Sequence, residues 1–224
     1  MTRRWTRKEY YELFKTLLEE EKKEEAFSFV MDLLKDQKVD VVELYGSVLT
    51  PALNNMECRL DDRKICVWKE HVRTAIVRTI VECCYPYVLE KKKELNYPQK
   101  GTAVIICPPE EYHDLGARMA ADFFAICGYQ SIFVGGNTPY QDFYQAIDVI
   151  CPEIVAISVS NYYNLIATER IIQELREKGQ KSLKIVAGGY AFMRHPDNFR
   201  LVGADYQVQT FSDIEKLAKG GETL

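Results

Sequence analysis

The stretch AVIICPPEEYHDLG, residues 103–116, decides the fold. Ala103–Cys107 is a short apolar run that reads as a buried strand. The hexapeptide Glu111-Tyr112-His113-Asp114-Leu115-Gly116 follows, where a helical pattern over about 114–127 begins. The same change of period repeats along the chain. Apolar runs at Ser131–Val134, Ile154–Ser158, Leu183–Ala187 and Tyr206–Val208 alternate with helical stretches at about 140–150, 162–178, 190–200 and 211–218. Strands that alternate with helices in this way predict a parallel, doubly wound α/β sheet of the flavodoxin or Rossmann type. In such sheets ligands sit beyond the carboxyl ends of the strands, where the strand order reverses.

Residues able to do chemistry fall at those ends. His113 follows the first strand, Ser158-Val159-Ser160 closes the third, and Gly188-Gly189 follows the fourth, with 41 residues between Gly116 and Ser158 and 27 between Ser160 and Gly188. Imidazole is a common ligand for transition metals, and it binds best when its second ring nitrogen donates to a carboxylate. Glu111, two residues before His113, is the candidate carboxylate. Gly116 permits close backbone approach at the first turn of the helix. Ser158 and Ser160 alternate in direction, so one can buttress the loop while the other faces a ligand. Gly188-Gly189 leaves room for something planar or elongated. Taken singly, each piece has an ordinary role: a solvated histidine, a capping serine, a glycine turn. A phosphate cradle competes, but neither G-x-G-x-x-G nor G-x-x-x-x-G-K-[ST] follows the first strand. Gly135-Gly136-Asn137-Thr138-Pro139 reads as the loop before a helix that starts at proline.

Composition bounds the class. The chain has 224 residues, 47% of them apolar, and a net charge of −4, which suits a globular protein with a sizeable core. The charge divides into +1 over residues 1–100 (19 basic, 18 acidic) and −5 over the rest (10 basic, 15 acidic), with no basic stripe for direct nucleic-acid binding. No apolar run is long enough for a membrane span or an export signal, so a cytoplasmic location is expected. Seven cysteines without C-x-x-C spacing read as buried free thiols.

The first half has helical periodicity. Thr6-x-x-Glu9 matches a capping box ahead of Tyr10, Phe14, Leu17 and Leu18, and a second helix runs through Ala26, Phe27, Val30, Leu33 and Leu34. A third follows Asp40, with Pro51 predicted to kink or break it. A fourth, from about Arg63, places Val67, Trp68, Val72, Ala75, Ile76, Thr79 and Ile80 on one face and ends or bends before Pro86. Together they predict a four-helix bundle over 1–90. A charged linker follows at 91–101, where Lys91-Lys92-Lys93 reads as a solvated helix end, and the α/β domain occupies 102–224.

The three motifs together resemble the signature of cobalamin-binding domains, D-x-H-x-x-G, then S-x-L, then G-G at these intervals. The resemblance covers about 101–218, and the helical half resembles the bundle that precedes this domain in cobalamin-dependent methionine synthase and related corrinoid proteins. It implies cobalamin as cofactor and His113 as the lower axial cobalt ligand, in place of the cofactor's own base. Glu111 would be the partner of His113. Gly116, Ser158, Ser160, Gly188 and Gly189 would line the path of the nucleotide tail, Tyr112, Asp114 and Leu115 of the same hexapeptide would bind the cofactor, and Tyr162 and Tyr163 are more simply packed.

The match departs from the family pattern in places. Glu111 stands where the family has Asp, and Ser160 where it has Leu. E-x-H-[DE]-[LI]-G resembles the variant in adenosylcobalamin-dependent photoreceptor repressors, which also carry a Trp ahead of a Glu-His pair over the upper ligand. Here the pair is Glu70-His71, but the Trp position is Leu60, and Asp61 stands where those photoreceptors have a cobalt-capturing histidine. Trp68 is a candidate replacement lid, though core packing suits its spacing, and His195 has no motif around it. No DNA-binding module and no second reactive centre are found in the sequence, so catalysis by this chain alone is not expected. The resemblance implies a stand-alone cobalamin sensor acting through a regulatory partner, or, as the alternative, a corrinoid carrier that shuttles methyl groups between partner methyltransferases. Homo-oligomerisation fits either. The sequence favours sensing, and the bland alternative is a flavodoxin-like domain for another ligand.

Overall fold

The computed structural model describes residues 5–56, 64–178, 182–193 and 197–221. The chain divides into two compact units, Met1–Lys91 and Lys92–Leu224. Among the described residues no helix is long and apolar enough to cross a membrane.

In the helical unit, α1 (Arg7–Glu19) starts at the Thr6/Glu9 capping box and buries Tyr10, Phe14 and Leu18. Helix α2 (Lys23–Lys35) buries Ala26, Val30, Leu33 and Leu34. A second capping box, Asp40 with Glu43, opens α3 (Val41–Leu44). The sequence predicts a kink or a break at Pro51; the helix is distorted there but runs through it. Helix α3 widens into a π-helical stretch, Tyr45–Leu49, and continues as α4 (Thr50–Asn54). A proline ring strikes the carbonyl four residues back in a regular helix. The wider turn, in which the Thr50 N–H donates to the Tyr45 carbonyl, accommodates the ring without ending the helix.

Helix α5 (Cys66–Cys83) corrects the predicted face. It buries Arg73, Ile76, Val77, Ile80 and Val81, while Val67 is exposed and Trp68, read as core, is 59% exposed. Apolar residues surround this helix, so periodicity alone does not single out a face. Tertiary contacts decide it, including the bond from Arg73 Nη2 to the Glu19 carbonyl at 3.0 Å. After a one-residue break, α6 (Tyr85–Leu95) carries Pro86 in its first turn, where a missing N–H costs nothing. Part of the stretch read as linker is therefore helical, and the division between units falls inside α6. The cysteine reading is also corrected: Cys66 is disulfide-bonded and Cys83 and Cys151 are exposed, while Cys84, Cys107 and Cys127 are buried and form no disulfide. An odd total excludes complete pairing but not a bridge.

The second unit is the α/β domain. Strands β1 (Thr102–Ile106), β2 (Gln130–Gly135), β3 (Ile154–Ser158), β4 (Lys184–Gly188) and β5 (Tyr206–Gln207) form one parallel sheet in the order β2-β1-β3-β4-β5. Between and after them come α7 (Leu115–Ile126), α8 (Tyr140–Ile150), a 3₁₀ turn at Tyr162–Asn164 leading into α9 (Leu165–Glu177), α10 (Tyr190–Met193), α11 (Asn198–Leu201) and α12 (Phe211–Ala218). The helix predicted over 190–200 is thus two short ones, with 194–196 outside the described residues. Strands β1, β3 and β4 are buried along nearly their whole length. Helices cover both faces of a parallel sheet, which is why these strands read as unbroken apolar runs rather than alternating ones.

Gly188 and Gly189 close the edge where β4 ends. A Cβ on Gly188 would lie 2.7 Å from the Val208 carbonyl oxygen, and one on Gly189, whose φ is 96°, would lie 2.5 Å from that of Val159. The space freed by the missing side chains is thus filled by backbone. Gly189→Ala is expected to destabilise the domain by about 2 kcal/mol, read as an earlier urea or thermal transition. An unchanged transition would contradict this packing.

Candidate functional site

The strand order sets the place. From β1 the chain turns outward to β2, and β3 lies on β1's other side. The loops after β1 and β3 therefore leave in opposite directions, at the point of the sheet edge where ligands of such folds sit. His113 lies on the first loop, Ser160 and Asn161 on the second.

Glu111 ties the two loops together. Its side chain has no exposed surface. Oε1 accepts the backbone N–H of His113 at 3.1 Å and lies 2.6 Å from His113 Nδ1. Oε2 accepts the backbone N–H groups of Ser160 and Asn161, at 3.0 and 2.8 Å, and Nδ2 of Asn164 at 3.1 Å. Burial opposes the charge, but the His113 ring, the N–H of Asn161, the amide of Asn164 and the N–H of His113 outweigh it and lower the acid to about 2. At neutral pH the group is a carboxylate and can only accept, so His113 Nδ1 donates to it. In the neutral ring the lone pair then lies on Nε2. The His113 side chain is 58% exposed.

The loop after β2 holds the other side. The β1–β2 register slips between Ile105 and Ile106, which brings Gly135 opposite Ile106. Cys107 N–H donates to the Gly135 carbonyl at 3.0 Å. Asn137 N–H donates to the Glu111 carbonyl at 2.9 Å, and Glu110 N–H to Asn137 Oδ1 at 3.0 Å. Cys107 itself is buried, and burial, with the charges of Asp114 and Glu111, pushes its thiol well up, so it is no thiolate.

The remaining predicted residues are placed as follows. Tyr112 is exposed, Leu115 is buried, and Asp114 is the N-cap of α7 without a side-chain capping bond. Gly116 is exposed, and a Cβ there would meet nothing within 4 Å. Ser158 pairs with Gly188 in the sheet. Ser160 contributes its backbone N–H rather than the hydroxyl the sequence pointed to. Tyr162 and Tyr163, read as packed, are exposed. Glu70 and His71 lie exposed on α5 in the helical unit. Leu60, Asp61 and His195 lie outside the described residues. Sequence reasoning missed Asn161, Asn164 and Asn137. The signal for the first two was a pair of asparagines just past the serine motif, where side-chain amides meet a turn.

Among the described residues no group of three or more His, Cys, Asp and Glu side chains could hold a metal ion. A single, well-oriented imidazole suits a metal that arrives with its other ligands already attached, as in a macrocycle. Gly116 fits the same group, since its bare Cα faces open space at the start of α7.

Known proteins agree. The family model described as "B12 binding domain" matches residues 101–214. Trimethylamine corrinoid protein 1 of Methanosarcina acetivorans is 23% identical over 179 residues, covering 79% of this chain and 80% of that protein. The HTH-type transcriptional repressor CarH of Myxococcus xanthus is 24% identical over 155 residues, 69% of this chain but 49% of the repressor. The structure of the Methanosarcina barkeri monomethylamine corrinoid protein aligns with a TM-score of 0.78 over 95% of this chain and 98% of that one, at 14% identity, a likeness of fold. With just over half of its length matched by the family model, the chain belongs to the B12 binding domain family and is a cobalamin-binding protein.

Proposed function

We propose that this chain is a corrinoid carrier protein in which His113 is the lower axial ligand of cobalt. The observation that carries the ligand assignment is the 2.6 Å contact between buried Glu111 and Nδ1 of an otherwise exposed ring. Bound cobalamin would supply a cobalt centre able to accept and give up a methyl group. The chain's own work is to hold and orient. Glu111 fixes the tautomer of His113, directs Nε2 outward to the metal and raises the basicity of the ring. The bare Gly116 admits a bulky ligand against the first turn of α7. Tyr112, Asp114, Leu115, Ser158, Ser160, Gly188 and Gly189, with Leu60, Glu70 and His71 of the helical unit, are assigned to cofactor binding on the resemblance alone.

Carriage is favoured over sensing by coverage. The trimethylamine corrinoid proteins align over about four-fifths of both partners, whereas the repressor CarH aligns over 49% of its own length. A methyltransferase is accordingly the proposed partner. The sensor reading keeps one specific support, the glutamate at 111 and the Glu70-His71 pair, which match the photoreceptor variant. Incubation with methylcobalamin and candidate methyltransferases separates the two. Methyl transfer without a light-dependent change in oligomeric size supports the carrier, and a size change without transfer supports the sensor.

Two substitutions test the site. In protein grown with histidine labelled in heavy nitrogen, the cobalt(II) form should show a doublet superhyperfine splitting from the axial nitrogen, and His113→Ala should lose it; a spectrum identical in both refutes the ligand assignment. Gly116→Ala is expected to leave unfolding unchanged or raise stability by about 0.5–1 kcal/mol, because alanine suits a helix better, while weakening hydroxocobalamin binding in a spectral titration. Parent-like affinity would remove Gly116 from the ligand's path.

A further inference from the structure

The loop that follows β2 has no role in the proposal above, yet its bonds converge on the residue that orients His113. Asn137 has φ 53° and Glu110 φ 65°, both left-handed. Asn137 takes the peptide groups on either side of the Glu110–Glu111 junction: its Oδ1 accepts the Glu110 N–H at 3.0 Å, and its own N–H donates to the Glu111 carbonyl at 2.9 Å. Gly136 lies close against the same carbonyl, and a Cβ added there would stand 3.0 Å from it. Thr138 extends the contact, its N–H reaching the Cys107 carbonyl at 3.3 Å and its hydroxyl the Gly135 carbonyl at 3.2 Å. Glu111 is therefore gripped twice, by its carboxylate from the loop after β3 and by its main chain from the loop after β2.

We propose that Asn137 is a positioning residue for the cobalt ligand: it clamps the Glu110–Glu111 backbone so that the Glu111 carboxylate, and through it the His113 ring, stands at the height needed for coordination. The proposal rests on the assignment of His113 as ligand. The carboxylate grip acts on the side chain, whereas the Asn137 bonds act on the main chain, at the Glu110 N–H and the Glu111 carbonyl. The height of the loop is set by the second. Asparagine suits the position for two reasons: it tolerates the left-handed region better than most residues, and its amide oxygen accepts a backbone N–H from a neighbouring turn.

Substitution separates these two properties. Asn137→Gly keeps the left-handed backbone and loses the acceptor, whereas Asn137→Asp keeps both. With hydroxocobalamin as probe, Asn137→Gly is expected to bind about tenfold more weakly. After reduction to cobalt(II) it should show a smaller histidine superhyperfine signal, with Asn137→Asp close to the parent in both measurements. Parent-like affinity and signal in Asn137→Gly, alongside an altered His113→Ala, overturn the clamp and leave the ligand assignment standing. If His113→Ala is parent-like too, both fall. A loss in Asn137→Gly that Asp does not restore also overturns the clamp, because the acceptor would not be its cause. Should Asn137→Gly fail to fold, Gly136→Ala must give the same loss of signal through pressure on the Glu111 carbonyl, and a parent-like signal there overturns the proposal.

Discussion

A carboxylate with no exposed surface must collect hydrogen bonds wherever the fold can bring donors to it, and Glu111 collects them from two loops and a helix start. Its Oε1 is committed to His113, its Oε2 to Ser160, Asn161 and Asn164. An unpaired charge in such a place would be costly enough to be neutralised or expelled. The donors keep the group anionic, and as an anion it fixes which nitrogen of the histidine ring carries the proton. The orientation of His113 is therefore a consequence of how Glu111 is buried.

That burial is possible because of where the sheet reverses. Loops after β1 and β3 start from adjacent strands, so a residue on one can reach main-chain N–H groups at the turn of the other. The glycines show how differently one residue type serves the edge. Gly188 and Gly189 are needed because backbone occupies the space where a Cβ would stand, whereas at Gly116 nothing within 4 Å requires it.

The α/β half was legible from the sequence because its strands are buried on both faces. Apolar runs such as Ala103–Cys107 and Ile154–Ser158 contrast sharply with the amphipathic helices beside them. The helical half was less so. On α5 apolar residues lie all round, and buried Arg73 rather than Trp68 marks the inner face. At Pro51 the local rule predicts a kink or a break, and a π-helical turn absorbs the proline without ending the helix. On α5 a contact distant in sequence, from Arg73 to the Glu19 carbonyl, overrode a local preference.

By itself the sequence determined the periodicities that make a parallel doubly wound sheet, the capping box at Thr6 and the helix start after Asp40, and the spacing that places His113, Ser158 and Gly188 at strand ends. These follow from steric and hydrogen-bonding rules that act within a few residues. The tertiary structure alone decided which groups answer Glu111. The donors are backbone N–H groups of Ser160 and Asn161 and the amide of Asn164, roughly fifty residues away in the chain, and a backbone N–H leaves no mark in a sequence. Their availability depends on how the turn after β3 is closed, and only the assembled sheet fixes that.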